Sequence, residues 1–461
     1  MSNPPVAGST HRAPVYAFGE GAEVRVVLDD YSVFFEGALP GERVRVKVTH
    51  TGPRYGHGTL VAIEEPSPDR VEPECVHYGV CGGCDLQHLA WPQQGEFKRQ
   101  LVARMVARAL STAPELLEVF PTLAPNGPWG HRGKIGLRFT ETREGLDAGL
   151  LARRSHEVVP LRMCPVQDEV GNDVAFHLME AAHHLGVPVG VPGGAAGLRA
   201  LLIRVAPGTG EVGVIFVGTT PHLPALSALI GAAREAGAVQ VAYNHHPEPG
   251  SQLLGRRTTL VWGKPRLTAH LPVLDARTGA PEPDLICLIS PGTFFQTSSW
   301  GAATLVDTVR QAVAPGGDVL DLYCGGGLLT LGLARHVRRI VGIEESATSV
   351  DDARKSLKLN GFTNVEFIAG RVETRLHAAL AETRFPTIVL DPPRAGAEPE
   401  VLEALVRHQP RRIVYVACDP HGLARDAVRL ADLGYHFCAA QPIDMFPQTA
   451  DVETVAIFEP R

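Results

Sequence analysis

The chain has 461 residues, which is too long for one hydrophobic core, so we expect two or three domains. Its content of 44% hydrophobic and 20% charged residues is typical of a globular protein and excludes a disordered chain. No uninterrupted apolar run reaches the roughly 20 residues of a membrane span, so we expect no membrane partner. The formal net charge of −7 argues against a generally basic nucleic-acid binder but is compatible with a local basic face.

The beginning of the chain and its cysteine content bear on the cellular compartment. Residues 1–5 lack the apolar core of a signal peptide, so we expect a cytoplasmic protein. Because that compartment keeps thiols reduced, the eight cysteines should be free thiols or metal ligands rather than disulfides. We also expect the protein to be a monomer.

Short alternating strands are predicted near the N-terminus, in residues 24–27, 31–35 and 42–49, with Gly and Pro breaks between them. Several short strands within about 50 residues indicate a small barrel of the OB type, a common nucleic-acid-binding module. A structural β-module with solvated charges explains the pattern equally well. The cations of this segment are Arg43, Arg45, Lys47 and Arg54.

Three cysteines, Cys75, Cys81 and Cys84, lie within ten residues. In a reducing compartment such a group indicates ligands for a soft metal. The other cysteine of this half of the chain, Cys164, precedes a proline in a loop setting that suits a ligand. Four thiolates could hold a [4Fe–4S] cluster. Zinc is the alternative, although this spacing is less typical of zinc, and we treat His77 as a bystander.

The middle of the chain reads as a mixed α+β region. Residues 92–110 have the apolar period of a helix, and residues 129–159 are rich in predicted strands. Between Arg132 and Arg154 six basic residues stand against three acidic ones, so this stretch could face phosphates or be an ordinary solvated surface. Residues 168–288 alternate helices and strands and predict an α+β scaffold.

The last third carries a cofactor pattern. A predicted strand runs into the glycine-rich turn at residues 323–327, and a helix follows. Glycines allow a ligand to approach the backbone, but no P-loop lysine is present, so a phosphate site is not favoured. About twenty residues later another strand ends in Glu344, whose carboxylate could bind both ribose hydroxyls. An adenosine cofactor is indicated, and S-adenosylmethionine (SAM) fits better than NAD.

Two further strands end in residues that suit chemistry. One ends in Asp391-Pro-Pro-Arg394, and the next, residues 413–417, ends at Cys418. Asp419-Pro420 then stops that strand, because proline cannot donate to a sheet ladder. Ligands gather at the carboxyl ends of strands in open α/β sheets, although a lone strand-end cysteine is more often a core residue.

These residues together resemble the SAM-dependent RNA (uracil-5-)-methyltransferase family. The motifs that carry the resemblance are Ser290-Pro-Gly-Thr-Phe-Phe-Gln-Thr297, Asp321-Leu-Tyr-Cys-Gly325, Asp391-Pro-Pro-Arg394, Tyr415-Val-Ala-Cys-Asp-Pro420, Leu423-Ala-Arg-Asp426, Asp444-Met-Phe-Pro-Gln-Thr449 and Val452-Glu453. The four cysteines and the N-terminal strands resemble the iron–sulfur branch with a TRAM domain, which modifies 23S rRNA. The resemblance covers nearly the whole chain and is weakest across residues 171–271.

The resemblance implies a multidomain fold. Residues 1–68 would form an OB-like TRAM barrel that binds RNA. Residues 69–289 would form a central α+β domain with the [4Fe–4S] cluster, and its helix near residues 92–112 could pack on the catalytic domain. Residues 290–461 would form a Rossmann-like SAM-dependent methyltransferase domain.

The resemblance also implies the roles of single residues. Cys418 would be the nucleophile that adds to C6 of uracil, and Glu453 the base that removes the C5 proton. The expected SAM contacts are Gln296, Tyr323, Glu344 and Asp391. The expected ligands of the [4Fe–4S] cluster, a structural staple far from methyl transfer, are Cys75, Cys81, Cys84 and Cys164. The expected partner is RNA, with 23S rRNA as the target and tRNA as the alternative.

A few positions depart from the family pattern. Gly326 stands where threonine is more usual, and Arg371 stands where an acid is often found. Asp419 replaces the usual asparagine, and its carboxylate beside the thiol should oppose thiolate formation. Phe294 and Phe295 are candidates for stacking on a flipped base.

Two rival functions fit part of the pattern. An exocyclic-amine methyltransferase also uses an Asp-Pro-Pro turn, but an aromatic normally follows the prolines, whereas Arg394 follows here. A non-catalytic RNA-binding or assembly factor could retain the fold. The presence of both Cys418 and Glu453 argues against it.

Overall fold

The computed structural model describes residues 4–223, 225–275 and 278–461. Residues 1–3 of the expected N-terminal domain lie outside this range. The N-terminal strands close into a barrel in the order β1-β2-β3-β5-β4, as the sequence predicted. Its strands are β1 Thr10–Phe18, β2 Val24–Leu28, β3 Tyr31–Phe35, β4 Arg43–Thr51 and β5 Tyr55–Glu65.

Alternation along β4 shows why this segment forms a barrel. Val44, Val46 and Val48 point into the barrel core, while the cations between them point outward. A period of two places every second side chain on the same face of a strand, so one face is apolar and the other is solvated. Two of the outward cations, Arg43 and Arg45, pair with glutamates of β5.

The chain then crosses the molecule before it forms the central sheet. The crossing elements are α1 Trp91–Ala109, a 3₁₀ turn at Pro114–Leu116 and β6 Glu118–Val119. The central sheet has seven strands in the order β13-β12-β11-β10-β7-β8-β9, with two helices against one face. Its elements are β7 Lys134–Thr142, β8 Gly145–Leu151, β9 Val158–Pro160, α2 Glu169–His184, β10 Leu198–Val205, β11 Val212–Gly218, α3 Leu226–Glu235, β12 Ala238–His245 and β13 Arg257–Gly263.

A two-stranded sheet, β14 Leu267–Leu271 with β15 Leu285–Ile289, leads into the C-terminal sheet and shares its core. The C-terminal elements are α4 Ser299–Ala312, β16 Asp318–Leu322, α5 Leu328–Leu333, β17 Arg339–Glu344, α6 Ala347–Asn360, β18 Val365–Ala369, α7 Val372–Glu382, β19 Thr387–Leu390, α8 Pro399–His408, β20 Arg412–Ala417, α9 Pro420–Asp432, β21 Tyr435–Ile443 and β22 Glu453–Pro460.

The C-terminal sheet is a doubly wound sheet with an antiparallel edge. Its strand order is β18-β17-β16-β19-β20-β22-β21-β6. The strands from β18 to β20 run parallel, and β22 runs antiparallel between β20 and β21. The strand order reverses between β16 and β19, and ligands of such sheets bind at the carboxyl ends of the strands beside this point.

Helix α1 lies between the barrel and the C-terminal domain. Its apolar face, which includes Phe97 and Leu101, packs with Ala424 of α9 and Leu39 of the barrel region. Strand β6 extends the C-terminal sheet through its pairing with β21. Both elements fall within the range 69–289 expected for the central domain, so the domain boundaries stay predictions.

A fully buried ion pair connects α1 to the segment between β21 and β22. Lys98 pairs with Asp444, and neither side chain is exposed to solvent. The Lys98 ammonium also donates to the Phe446 carbonyl at 2.9 Å. One turn earlier, the amide of Gln94 donates to Gln448 Oε1 and accepts from the Gln448 backbone N–H, both at 3.0 Å. Helix α1 therefore fixes residues 444–448, the segment that leads into β22.

We expect Lys98→Met to destabilise the protein by about 3–5 kcal/mol, because Asp444 would be left as an uncompensated buried charge. Urea unfolding followed by circular dichroism measures the change. The matched control is Lys98→Met with Asp444→Leu, which removes both charges and should recover most of the loss. Equal stability of the single variant and the wild type would contradict the assigned role of the pair.

Candidate active site

A cavity of about 1200 Å³ opens at the carboxyl edge of the parallel strands. It lies between the C-terminal sheet and the loop that precedes β13, so elements of two different sheets contribute walls. All six residues that the sequence predicted for catalysis and cofactor binding line this cavity, namely Gln296, Tyr323, Glu344, Asp391, Cys418 and Glu453. The structure thus brings together side chains that are up to 157 positions apart in the chain.

The register of two neighbouring strands brings Cys418 and Glu453 together. Strands β20 and β22 pair antiparallel, with Ala417 opposite Thr454. Cys418 follows the last residue of β20, and Glu453 is the first residue of β22, so the two residues face each other across the strand ends. Glu453 is only 3% exposed, while Cys418 is half-buried at the cavity surface.

Burial sets the protonation of this pair. Burial, followed by the neighbouring charge of Asp391, raises the pKa of Glu453 well above its ordinary value. Burial also raises the pKa of Asp391 to about 7. The Cys418 thiol has its pKa raised to about 11, first by burial and then by the carboxylates of Glu453 and Asp391, which Arg394 partly opposes. Near neutral pH the Cys418 thiol of the free protein is therefore uncharged.

Asp419 has a structural role that the sequence did not reveal. Its carboxylate caps α9 by accepting a hydrogen bond from the His421 backbone N–H at 2.9 Å. It also raises the pKa of Cys418, as expected, but contributes less than burial, Glu453 or Asp391. An aspartate here satisfies the helix N-terminus and adds only a minor charge effect at the thiol.

The glycine-rich turn after β16 leaves room for a ligand. The non-glycine residue Tyr323 has a φ of 61°, and Gly325 follows with a φ of 55°. A Cβ atom added at Gly325 or Gly326 would meet no atom within 4 Å, so the backbone here faces open space. Glu344 is fixed beside the turn, because its carboxylate accepts from the N–H groups of Gly325 at 3.1 Å and Ser346 at 2.7 Å.

Asp321 is a site residue that our sequence analysis did not single out. Its carboxylate is fully buried and accepts a hydrogen bond from Thr330 at 2.5 Å. The other oxygen, Oδ1, has no hydrogen-bond partner in the described part of the chain. Asp321 lines a small cavity of about 50 Å³ together with Gln296, Tyr323 and Asp391. The sequence signal that could have identified it was an acidic residue near the end of a predicted strand, just before the glycine-rich turn.

The structure distinguishes the two candidate stacking residues. Phe294 is 61% exposed and lines the main cavity, whereas Phe295 is 6% exposed and packs in the core of the C-terminal domain. Phe294 is therefore the better placed of the two, and stacking on a base stays a prediction. Arg371 stands where the family often has an acid. Its guanidinium pairs with Glu373 at 3.2 Å, so a carboxylate still reaches this part of the cavity wall.

The four N-terminal cysteines line one second cavity of about 510 Å³. Burial, with a contribution from the neighbouring thiols, raises the pKa of Cys84 to about 12. Among the described residues, no group of three or more His, Cys, Asp or Glu side chains is arranged to hold a metal ion. The expected iron–sulfur cluster is thus not confirmed.

The cysteine cavity lies closer to the candidate active site than the sequence predicted. Thr297, Thr449 and Asp451 also line it. Thr297 directly follows the candidate site residue Gln296, and the other two lie shortly before Glu453 in the chain. In addition, the backbone N–H of Asp85, the residue after Cys84, donates to the Gln448 carbonyl at 2.8 Å. The cysteine loop and the segment before β22 therefore support each other.

Comparison with known proteins identifies the family. A sequence model of the TRAM domain matches residues 27–61, and one of the tRNA (Uracil-5-)-methyltransferase family matches residues 292–460. A protein of Halalkalibacterium halodurans described as an uncharacterized RNA methyltransferase is 33% identical over 435 residues, which are 93% of this chain and 92% of that protein. The chain belongs to the RNA (uracil-5-)-methyltransferase family. It is a SAM-dependent enzyme of this class, as the sequence predicted.

Other relatives agree with this identification. An RNA methyltransferase of Thermosynechococcus vestitus, also described as uncharacterized, is 34% identical over 436 residues, 93% of each chain. The solved structure of Pyrococcus abyssi tRNA (uracil-54, C5)-methyltransferase in complex with S-adenosyl-L-homocysteine matches with a TM-score of 0.73 and 26% identity. The match covers 97% of this chain and 100% of that one. No helix among the described elements combines the length and apolar character needed to cross a bilayer.

For this RNA (uracil-5-)-methyltransferase we expect the free enzyme to be alkylated slowly at Cys418. With a thiol pKa of about 11, the thiolate fraction and the rate should rise about tenfold per pH unit between about pH 7 and pH 10. Iodoacetamide labelling of the Cys418 peptide, followed by mass spectrometry, measures the rate.

Two variants of neighbouring acids serve as matched controls. Glu453→Gln should move the profile to lower pH, because it removes a carboxylate that raises the pKa of the thiol. Asp419→Asn should move it less, since that carboxylate contributes less. A plateau near pH 8.5, the ordinary cysteine value, would contradict the arrangement.

Proposed function

We propose that the protein transfers the methyl group of SAM to C5 of a specific uridine in RNA through a covalent bond between Cys418 and C6 of uracil. One observation carries the assignment. The antiparallel register of β20 and β22 puts a thiol and a buried carboxylate side by side at the wall of a cavity large enough for a cofactor and a nucleotide.

The chemistry of uracil requires both groups. C5 is too weak a nucleophile to attack a methyl sulfonium, so the thiolate of Cys418 first adds to C6 and generates an enolate with charge on C5. C5 then accepts the methyl group. Glu453 removes the proton from C5, and the electron pair of that bond restores the C5–C6 double bond while the cysteine leaves. The high pKa that burial gives Glu453 makes it a strong base once it is ionised.

The residues present suit the cofactor. Gln296, Tyr323, Glu344 and Asp391 would hold SAM, with Glu344 facing the ribose hydroxyls. The open space at Gly325 and the unpaired buried oxygen of Asp321 both fit a bound cation of this kind. When bound, SAM supplies the methyl group, and its positive charge favours the ionised forms of the nearby carboxyl and thiol groups.

The target base must leave its stack to reach Cys418. Flipping a base costs a few kcal/mol, which contacts with the extruded base offset. The exposed ring of Phe294 stands at the cavity wall and would stack on it. The TRAM barrel would bind RNA away from the site of methyl transfer.

We expect Cys418→Ala and Glu453→Gln to stop the reaction at different stages. Cys418→Ala should form neither product nor covalent RNA adduct, since nothing adds to C6. Glu453→Gln should still add to C6 and accept the methyl group, then stall because the C5 proton cannot leave. The stalled protein–RNA conjugate should survive a denaturing gel and carry label from methyl-labelled SAM.

A 5-fluorouridine RNA serves as the positive control, because fluorine cannot be removed as a proton and should trap the wild type in the same state. Normal turnover by Glu453→Gln without an adduct would exclude Glu453 as the base. Normal RNA binding with no activity in the wild type would favour the non-catalytic alternative.

The RNA target has two candidates. We propose 23S rRNA, on the resemblance of the cysteine set and TRAM domain to that branch. The alternative, tRNA, is favoured by the similarity to the Pyrococcus abyssi enzyme, which is named for tRNA. Mass mapping of 5-methyluridine in rRNA and tRNA from cells that lack the protein distinguishes them. The cytoplasmic location and monomeric state also stay predictions.

We further propose that Cys75, Cys81, Cys84 and Cys164 hold one [4Fe–4S] cluster. In support, the four free thiols line a single cavity although Cys164 is 80 positions from Cys84. A cubane cluster spaces its thiolate ligands further apart than a single zinc ion does, so a cluster is compatible with cysteines too dispersed for one ion.

Anaerobically purified protein should therefore be brown and contain about four irons per chain. Iron analysis and the visible spectrum measure this. Cys164→Ser should lose iron, whereas Cys438→Ser, a matched change at a cysteine outside the cavity, should keep it. Stoichiometric zinc without visible absorbance would exclude the cluster.

A further inference from the structure

We propose that Arg256 and Arg257 form a binding site for the RNA phosphates next to the target uridine. This inference rests on the proposed function. The two arginines lie where the loop after β12 enters β13, on the wall of the main cavity contributed by the central domain.

The cavity has walls of different charge. The strand ends of the C-terminal sheet contribute carboxylates, among them Glu344, Asp391 and Glu453. The loop before β13 contributes the two arginines and, over residues 254–258 of the lining, no acid. A cationic cofactor suits the first wall, and the anionic backbone of a nucleotide suits the second.

Within the described part of the chain, the two arginines of the loop make no ion pair, unlike the other two arginines in the cavity lining. Arg371 pairs with Glu373 at 3.2 Å, and Arg394 pairs with Asp451 at 3.4 Å. The side chains of Arg256 and Arg257 have no ion pair or hydrogen bond within residues 4–223, 225–275 and 278–461. The acid on the same loop, Glu248, contacts His246 at 3.1 Å, and Arg256 acts on it only as a nearby charge without forming an ion pair.

Buried polar side chains hold the backbone of this loop in place. Asn244 is fully buried, and its amide donates to the carbonyls of Gly255 at 3.0 Å and Arg257 at 3.1 Å and accepts from the Gly255 N–H at 2.7 Å. Arg199, also buried, donates to the carbonyls of His246 and Gly250 at 3.3 and 2.8 Å. The arginines are thus presented from a fixed backbone, which lowers the entropy lost on binding.

The chemistry of the RNA substrate gives a reason for two arginines at this position. A uracil flipped toward Cys418 stays joined to the RNA by its ribose and phosphates, which must remain outside the strand ends where the base reacts. Guanidinium groups bind phosphate oxygens with two parallel hydrogen bonds, so a pair of unpartnered arginines opposite the reactive edge suits that backbone.

The test compares two double variants at the same positions, one that removes both charges and one that keeps them. Arg256→Gln with Arg257→Gln should weaken RNA binding and reduce the slope of log affinity against log salt by about 0.7 for each phosphate that is no longer neutralised. SAM affinity, measured by calorimetry, should be unchanged. Arg256→Lys with Arg257→Lys keeps the charges and should keep the salt slope.

The matched control for the loss of two charges is Arg407→Gln with Arg411→Gln. These exposed arginines lie at the end of α8 and before the start of β20, at the opposite edge of the sheet from Cys418. The control should leave RNA affinity and its salt slope close to those of the wild type. Thermal unfolding checks that every variant is folded, as expected for changes at exposed positions.

A salt slope in the Arg256/Arg257 glutamine variant equal to that of the control would overturn the inference. The proposed function is judged separately, by whether the wild type forms a covalent adduct with 5-fluorouridine RNA. An adduct with an unchanged slope rejects the phosphate site alone. No adduct rejects the catalytic proposal, while the salt slope still decides whether the arginines contact phosphates.

Discussion

The antiparallel pairing of β22 with β20 is the constraint on which the active site depends. The other neighbour of β20, strand β19, runs parallel to it, and parallel strands bring only their carboxyl ends to the ligand edge. Because β22 runs the opposite way, its first residue arrives at that edge. One residue of slip would turn Glu453 to the other face of the sheet, so the register itself places the carboxylate beside Cys418.

Burial of acids beside a thiol favours the neutral forms of these groups in the free protein. Glu453, Asp391 and Cys418 each have a raised pKa, because ionised groups are poorly solvated there and repel one another. A positive charge brought into the cavity reverses this preference. In the proposed function, the positive charge of SAM would therefore make the Cys418 thiolate easier to form.

The segment before β22 is held in place by elements that are far from it in the chain. Lys98 and Gln94 on α1 bind the backbone and side chains of residues 444–448, and the cysteine loop adds the hydrogen bond from Asp85. The contacts of Lys98 with Asp444 and of Gln94 with Gln448 are buried, where hydrogen bonds are stronger than in water, so they fix the segment that leads into β22. A metal group bound by the four cysteines would further restrict the motion of the segment before β22.

Local sequence patterns alone predicted many of the strands and the edge of the sheet that carries the candidate site. The alternation of Val44, Val46 and Val48 predicted a strand of the barrel, and the strand-end positions of Glu344 and Cys418 predicted which edge carries the chemistry. These features depend on residues close together in the chain, where period, turn chemistry and strand termination act. The family motifs then predicted Glu453 as the base, a role that no local pattern marks.

Only the tertiary structure decided how distant segments meet. The sequence did not show that Lys98 would pair with Asp444, or that Phe295 would face the core while Phe294 faces the cavity. Nor did it show that one oxygen of Asp321 would lack a partner among the described residues. Nor did it show that the loop carrying Arg256 and Arg257 would close the cavity from another domain. These outcomes depend on packing between elements tens to hundreds of residues apart. Burial determines which side chains become partners and how far pKa values shift, and it exists only once those elements are packed.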